Sequence, residues 1–369
     1  MTLLGFADDV LDLPWRYKFI LPVFASLPLL LTYNGGTAIL LPPVVGRALL
    51  LADGSRTPLG WLLGALPHLS LQLTGQGAVL LEMGLWYFLY MGCLGVFATN
   101  AINIYAGING LEAGQALVVT LAVITTNLME LAGEGQGPHM TAHLFSALLG
   151  LPSLAVTAAL LCYNLFPASG FVGDTFCYFA GMTLAVQGIH GHFAKTLLVF
   201  FAPQAFNFFY SLPQIAKVYP CPRHRLPHFN AATGLLEPSR FEVPVRGAQA
   251  QAAAATGKAA AATSSSSSSS SKRRRGSSVA AAGGAEAAGA AGAAGAQVQQ
   301  PPRMMDNFTL INLVLRLTGP MHERTTTNVL LGLQVVSCVV GLAMRVWHSN
   351  SVCEGRAWSL FSTYADCPA

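Results

Sequence analysis

The sequence predicts an all-α, polytopic membrane helix bundle of about seven transmembrane helices, interrupted by a disordered cytosolic insert. Three observations predict it. Of the 369 residues, 53% are hydrophobic and only 10% are charged, against about a quarter charged in a soluble domain. Seven apolar stretches reach or approach the ~20 residues that cross a hydrocarbon core as a helix. One long segment, 247–302, consists almost only of Ala, Gly, Ser and Gln. Such a segment buries too little apolar surface to offset its ordering entropy.

The first stretch, about Phe19–Tyr33, is short and contains Pro22 and Pro28, which blur its ends. The second is about Ala78–Thr99, the third about Ala116–Leu131 and the fourth about Ala142–Tyr163. The fifth is about Thr175–Ile189, the sixth about Ala194–Leu212 and the seventh about Asn328–Trp347. A weaker amphipathic run, Asn307–Leu317, precedes the seventh. The chain thus divides into a membrane core at 1–246, the insert at 247–302, a last amphipathic and transmembrane pair at 303–347 and a lumenal tail at 348–369.

Loops emerge alternately from such a bundle. Residues 1–18, 100–115, 164–174 and 213–327 share one side; 34–77, 132–141, 190–193 and 348–369 share the other. The first side carries 15 of the 20 Lys and Arg residues, the other Arg47, Arg56, Lys195, Arg345 and Arg356. An excess of Lys and Arg marks the cytosolic side. Setting the long loop aside leaves Arg16, Lys18, Lys217, Arg223, Arg225, Arg316 and Arg324, seven against five in the same direction.

Several function classes are disfavoured. The net charge is +4, much of it in Lys272–Arg275, so no nucleic-acid role follows. That KRRR run reads as a solvated basic patch before a nuclear signal or a lipid-headgroup contact. The seven cysteines have no CxxC or metal spacing, which indicates neither a zinc site nor a disulfide framework. Residues 1–18 hold Asp8, Asp9, Asp12, Arg16 and Lys18 without an apolar core, unlike a cleavable signal peptide. No internal repeat is visible, and many transporter folds show one.

Four polar motifs fall on the cytosolic side. VFATNAINIYAGINGLEAGQ, residues 96–115, reads as a polar hinge between two spans. It carries Asn100, Asn103, Asn109, Gln115 and Glu112 but no base. Carboxamides and glycines suit close backbone approach to a ligand, neutral hydrogen bonding or metal coordination; they also make caps and tight turns. FADDVLDLPWRYK, residues 6–18, sets three acids beside Arg16 and Lys18. Adjacent acids are tolerated where a cation or proton uses them, and Lys18 is a point charge suited to phosphate. FVGD, residues 171–174, opens an apolar helix, where Asp174 is either an N-terminal cap or a metal ligand. CPRHRLPH, residues 221–228, is an extended segment whose arginines suit phosphate oxygens. Together these supply oxygen ligands for Mg²⁺ and cations for a pyrophosphate, the inventory of metal-assisted phosphoryl transfer. A carrier using Asp8, Asp9 and Asp174 as intramembrane charges is the alternative; its site would lie near the midplane rather than at span ends.

At these residues the sequence resembles the polyprenyl-phosphate N-acetylhexosamine-1-phosphate transferases, in their eukaryotic branch. The matching strings are GFADDVLDL, FATNAINIYAGINGLEAGQ, FVGDTFCYFAGMTLAV, FNFFYSLPQ, CPRHRLP and TLINLVLRLTGPMHER, in order from residue 5 to 324, with 247–302 unmatched. Bacterial relatives acting on a muramoyl-pentapeptide donor carry a histidine-rich motif where this chain has RHR. The resemblance implies transfer of GlcNAc-1-phosphate from UDP-GlcNAc to dolichyl phosphate at the endoplasmic reticulum membrane, the first step of lipid-linked oligosaccharide synthesis for protein N-glycosylation. It implies Mg²⁺ held by Asn103 and Asp174, with Lys18 on phosphate and Asp8 and Asp9 as the paired acids. Val96, Phe97, Ala98, Thr99, Asn100, Ala101, Ile102, Asn103 and Ile104 would border the lipid-phosphate pocket. Asn109 and Phe171 would hold the uracil, and Arg223, His224 and Arg225 the sugar and pyrophosphate. A homodimer in contact with membrane lipids is admitted, and no nucleic acid is implied. The family has about ten spans, and this chain starts at the end of the third, with Met1–Leu4 either a remnant of it or a misplaced start; a catalytically inactive fragment is therefore the other alternative. Topology adds that the sequon Asn307-Phe308-Thr309 is cytosolic and unmodified, and that Cys353 and Cys367 can pair on the lumenal tail.

Overall fold

The structure is a computed structural model that describes residues 1–41, 43–51, 53–73, 79–132, 138–222, 225–243 and 303–353. The whole of the expected insert, 247–302, and the end of the tail, with Cys367, lie outside the described residues. The chain forms two units, Met1–Ser239 with Asn307–Ala369, and Arg240–Asp306. In the second, the strands Arg240–Val243 (β6) and Arg303–Asp306 (β7) pair antiparallel, and Arg240 Nε donates to Asp306 Oδ1 at 2.9 Å.

The first unit is mostly helical. Thr2–Leu11 (α1) ends where Asp12 turns left-handed at φ 48, a conformation Asp tolerates, just before the helix-breaking Pro14. Pro14 caps Trp15–Leu31 (α2). A small three-stranded sheet follows, built of Ala38–Leu41 (β1), Ser70–Leu73 (β2) and the central Val79–Glu82 (β3). Two short helices, Pro43–Leu49 (α3) and Pro58–Gly64 (α4), accompany it, and Leu49, Leu50, Leu71 and Val79 form its own apolar core. Then come Leu85–Ile104 (α5), Leu111–Ala132 (α6), Pro138–Asn164 (α7) and Gly173–His190 (α8). Ala194–Phe200 (α9) and Ala202–Ile215 (α10) follow, then the hairpin His228–Asn230 (β4) with Leu235–Glu237 (β5). Leu310–Thr318 (α11) and Glu323–Cys353 (α12) complete the unit.

Among the described residues, four helices are long and apolar enough to cross a membrane: α5, α6, α7 over Met140–Asn164, and α12 over Glu323–Trp347. The protein is a multi-pass membrane helix bundle. The first, fifth and sixth expected spans are helical too, as α2, α8 and the pair α9–α10. Three boundaries differ from expectation for physical reasons. Val79–Glu82, with the apolar Val79, Leu80 and Leu81, is the middle strand of the sheet, so the second expected span starts its helix only after Gly84, at φ 49. The expected hinge 96–115 is mostly helix, leaving Tyr105–Gly110 as its turn. The expected sixth span is broken near Phe201, because Pro203 has no N–H for the Val199 carbonyl. Ser337 Oγ donates to that carbonyl at 2.6 Å, and Gln334 Nε2 to the Phe200 carbonyl at 2.7 Å. The sheets add strands to a fold expected to be all-α.

The central helices meet through glycines. A Cβ at Gly181 of α8 would lie 2.3 Å from the Ala98 carbonyl of α5, and one at Gly5 of α1 would lie 2.4 Å from Thr175 Cα of α8. Around these contacts Ala98, Ile102, Val119, Val123, Leu184 and Phe200 are buried in the largest core cluster. Gly181→Leu is expected to separate α5 from α8 at an overpacking cost of about 1–3 kcal/mol. It should lower the thermal unfolding midpoint in detergent by several degrees; an unchanged midpoint would contradict this packing.

Candidate active site

The site begins at the joint of α1 and α8. Gly173 sits at φ 66, where a Cβ would lie 2.7 Å from Asp9 Oδ2. The Asp174 N–H donates to Asp9 Oδ1 at 2.7 Å. The Thr175 N–H and hydroxyl donate to Asp9 Oδ2 at 3.0 and 2.6 Å. The carboxylate that caps α8 is therefore Asp9, from a different helix, and this leaves Asp174 free to face inward. Burial opposes ionisation of Asp9, but these three donors outweigh it and hold its carboxyl below the usual range.

Asp8, about 100° further round α1, is buried and makes other bonds. Lys18 Nζ lies 2.8 Å from its Oδ2, and the Tyr178 hydroxyl donates to the same oxygen at 3.2 Å. The Leu13 N–H donates to Oδ1 at 3.0 Å. Lys18 also reaches Asp174 Oδ2 at 3.5 Å. Burial disfavours its ammonium, yet Asp8 and Asp174 outweigh burial and raise its pKa. Asp174 stands just outside the candidate spans. Burial first, then the neighbouring Asp8, push it up to about 6, against the opposing pull of a hydrogen bond with Asn103 and the charge of Lys18.

Lys18 is placed by a second device. Pro22 lacks the N–H that would meet the Lys18 carbonyl within α2. Asn100, buried on α5, donates to that carbonyl at 3.4 Å and to Val96 O at 2.9 Å.

A cavity of about 380 Å³ opens beside this cluster, with Asn103, Phe171, Asp174, Arg225, Glu112 and Thr309 among its lining residues. Phe171 is 91% exposed. Arg225 Nη2 donates to the Phe308 carbonyl at 3.0 Å, while its buried Nε has no hydrogen-bond partner among the described residues. Asn207 also lines the cavity, and its Oδ1 accepts from the Leu310 N–H at 2.8 Å. At the end of α5, Gln115 donates to the Tyr105 carbonyl at 2.7 Å and to Ile102 O at 3.3 Å. Gln204 donates to Gln115 at 2.6 Å and to Gln334 at 2.7 Å, tying α6, α10 and α12 together.

The structure thus brings together Asp8, Lys18, Asn103, Asp174, Phe171 and Arg225 of the expected residues. Asp9 reaches the cluster through the α8 cap. Of the run Val96–Ile104, Asn103 and Ile104 line the cavity; Ala98, Thr99, Ala101 and Ile102 are buried in the bundle, and Phe97 packs on Phe201 and Phe208. Asn109 is not among the cavity's lining residues. Arg223 and His224 lie outside the described residues. Sequence reading assigned no role to Glu112, Asn207 or Thr309. Glu112 was the single acid of the 96–115 stretch, and Asn207 sits in the FNFFYSLPQ string, so both carried a signal. Among the described residues no three of His, Cys, Asp and Glu gather as a metal cage.

Fold and site together define a multi-pass membrane protein with an acid-rich centre at its helix ends. Residues 1–192 match the family described as Glycosyl transferase family 4, and the chain belongs to that family. It is similar to the UDP-N-acetylglucosamine–dolichyl-phosphate N-acetylglucosaminephosphotransferase of Dictyostelium discoideum, 37% identical over 359 residues, covering 94% of this chain and 66% of that protein. The proteins of the same name from Schizosaccharomyces pombe and Leishmania amazonensis are 38% and 34% identical, each matching 94% of this chain and 67% and 68% of their own length. The chain spans about two thirds of the length of these relatives.

The pair of the buried Asp8 with the half-buried Lys18 gives a test. Removing one partner strands the other charge, at a cost of roughly 3 kcal/mol for a buried pair. Lys18→Met is expected to lower the unfolding midpoint sharply, and Asp8→Asn added to Lys18→Met to restore part of it. Additive losses in that double-mutant cycle would show that the two do not interact.

Proposed function

We propose that this chain transfers GlcNAc-1-phosphate from UDP-GlcNAc to dolichyl phosphate, giving dolichyl-diphosphate-GlcNAc and UMP, on the cytosolic face of the endoplasmic reticulum membrane. The observation that carries this is the cluster of Asp8, Lys18, Asp174 and Asn103 at the helix ends, of which Asn103 and Asp174 line one cavity. Helix ends are where a soluble nucleotide donor and a membrane-anchored acceptor meet, and a midplane carrier site would lie elsewhere. The names and the 34–38% identity of the relatives support the same reading.

In this reading a dolichyl-phosphate oxygen attacks the β-phosphorus of UDP-GlcNAc, and the bond from that phosphorus to the bridging oxygen breaks as UMP leaves. The acceptor oxygen is already anionic at neutral pH, so no side chain must deprotonate it. Lys18 holds phosphate, set in place by Asp8 and by Asn100 at its carbonyl. Asn109 and Phe171 hold the uracil. Arg225, with Arg223 and His224, holds the sugar and pyrophosphate. The run Val96–Ile104 borders the lipid-phosphate pocket. The donor set fits a hard cation, since Asn103 and Asp174 offer amide and carboxylate oxygens and the surrounding acids outnumber Lys18. Mg²⁺ bound by Asn103 and Asp174 would neutralise charge on the reacting phosphates.

The same reading has the expected spans from Phe19 in α2, Thr175 in α8 and Ala194 in α9–α10 crossing the membrane with the four longer helices, about seven spans in all. It has segment 247–302 as a disordered cytosolic insert and 348–369 as lumenal, and it admits a homodimer.

Microsomes carrying the full chain, given labelled UDP-GlcNAc and dolichyl phosphate, are expected to release UMP in a Mg²⁺-dependent way. Asp174→Ala should lower that rate at least ~100-fold, the equivalent of several kcal/mol of transition-state stabilisation. No UMP release by the wild-type chain, or near-normal turnover by Asp174→Ala, would overturn the proposal.

A further inference from the structure

The turn between α5 and α6 is held from outside by two helices. Asn164, the buried last residue of α7, accepts from the Gly110 N–H at 2.9 Å through Oδ1 and donates to the Gly170 carbonyl at 3.0 Å through Nδ2. One carboxamide therefore ties the turn that carries Asn109 to the turn that carries Phe171. From the other side, Glu323, the first residue of α12, accepts from the Asn109 N–H at 2.7 Å. The buried Thr327 hydroxyl donates to the Asn109 carbonyl at 2.8 Å. Both backbone polar groups of Asn109 are thus held by α12, while its carboxamide has no hydrogen-bond partner among the described residues. Gly110 takes φ 81, and a Cβ there would come within 3.3 Å of Leu165 and 3.5 Å of Thr327. The turn is wedged between the end of α7 and the start of α12.

We propose that Asn164 and Glu323 are positioning residues for recognition of the nucleotide base. Resting on the transferase reading above, the clamp sets the spacing between the carboxamide of Asn109 and the exposed ring of Phe171. A base is read between a hydrogen-bonding edge and a stacking face, and the gap must stay fixed to tell one pyrimidine from another. Neither Asn164 nor Glu323 lines the cavity, so both act through the turns they join.

The test uses the full chain in microsomes and measures equilibrium binding of UDP-GlcNAc, turnover, and the preference for UDP-GlcNAc over CDP-GlcNAc. Asn164→Ala leaves a buried N–H and a part-buried carbonyl without partners. It is expected to raise Kd and KM for UDP-GlcNAc about tenfold, with kcat within about threefold and KM for dolichyl phosphate unchanged. The preference for uridine over cytidine should shrink by a similar factor. Glu323→Ala should do the same, whereas Glu323→Gln, which keeps an acceptor oxygen for the Asn109 N–H, should bind close to wild type. Asn164→Asp keeps the acceptor for Gly110 and loses the donor to Gly170, so it should fall between. A purely structural role would lower the amount of folded protein or kcat and leave the uridine preference untouched. Wild-type binding of UDP-GlcNAc together with unchanged Kd and base preference in Asn164→Asp and Glu323→Ala would overturn the clamp alone. Failure of the wild-type chain to bind UDP-GlcNAc would overturn the transferase reading and the clamp with it.

Discussion

The carboxylate of Asp9 rests on two backbone N–H groups and one hydroxyl at the start of α8, and the positions of Asp8 and Asp174 follow from that joint. An N-terminal helix end presents unpaired donors and a positive dipole. In most helices the residue at that end supplies its own cap. Here the cap comes from α1, and Gly173 leaves room for it. Asp174, one residue into α8, is thereby released from capping and turned toward Lys18 and Asn103. Asp8 then closes the arrangement by pairing with Lys18. Two adjacent acids on one helix thus do different work because successive residues point about 100° apart.

A bilayer core provides no water for helix carbonyls that a proline leaves without an N–H, and at two prolines of this chain a side chain from a neighbouring helix meets the carbonyl. Pro22 orphans the Lys18 carbonyl, and Asn100 donates to it. Pro203 orphans the Val199 carbonyl, and Ser337 donates to it. Gln115, Gln204 and Gln334 join the end of α5 to α10 and α12. These polar contacts are few, but they fix where α5 ends, and α5 ends at Asn103 and Ile104.

Much of this was legible in the sequence. Long apolar runs located α6, α7 and α12, because length and composition alone decide that a segment spans. Loop parity placed FADD, FVGD and the RHR segment on one side, and the structure gathers Lys18, Asn103, Asp174 and Arg225 at the same helix ends. What sequence could not show was which partner each polar group takes. Asp9 bonds to residues 165 and 166 positions away, and no local pattern encodes that. Val79–Glu82 misled because a short apolar run such as Val79–Leu81 fits a buried strand as well as a helix start. Asn164 carried no signal, since a lone polar residue at a helix end reads as a cap, and Glu323 carried only its place in the TLINLVLRLTGPMHER string.

The geometry leaves Asp8 and Asp9 committed to Lys18, Tyr178 and the α8 N-terminus, so neither is free to form a bond to phosphorus. The most direct measurement is isotope exchange between labelled UMP and UDP-GlcNAc on the full chain, with and without dolichyl phosphate. Direct attack by the lipid phosphate predicts no label in UDP-GlcNAc unless the lipid is present. Exchange in the complete absence of lipid acceptor would require a covalent enzyme intermediate and would contradict the positioning roles given to both acids.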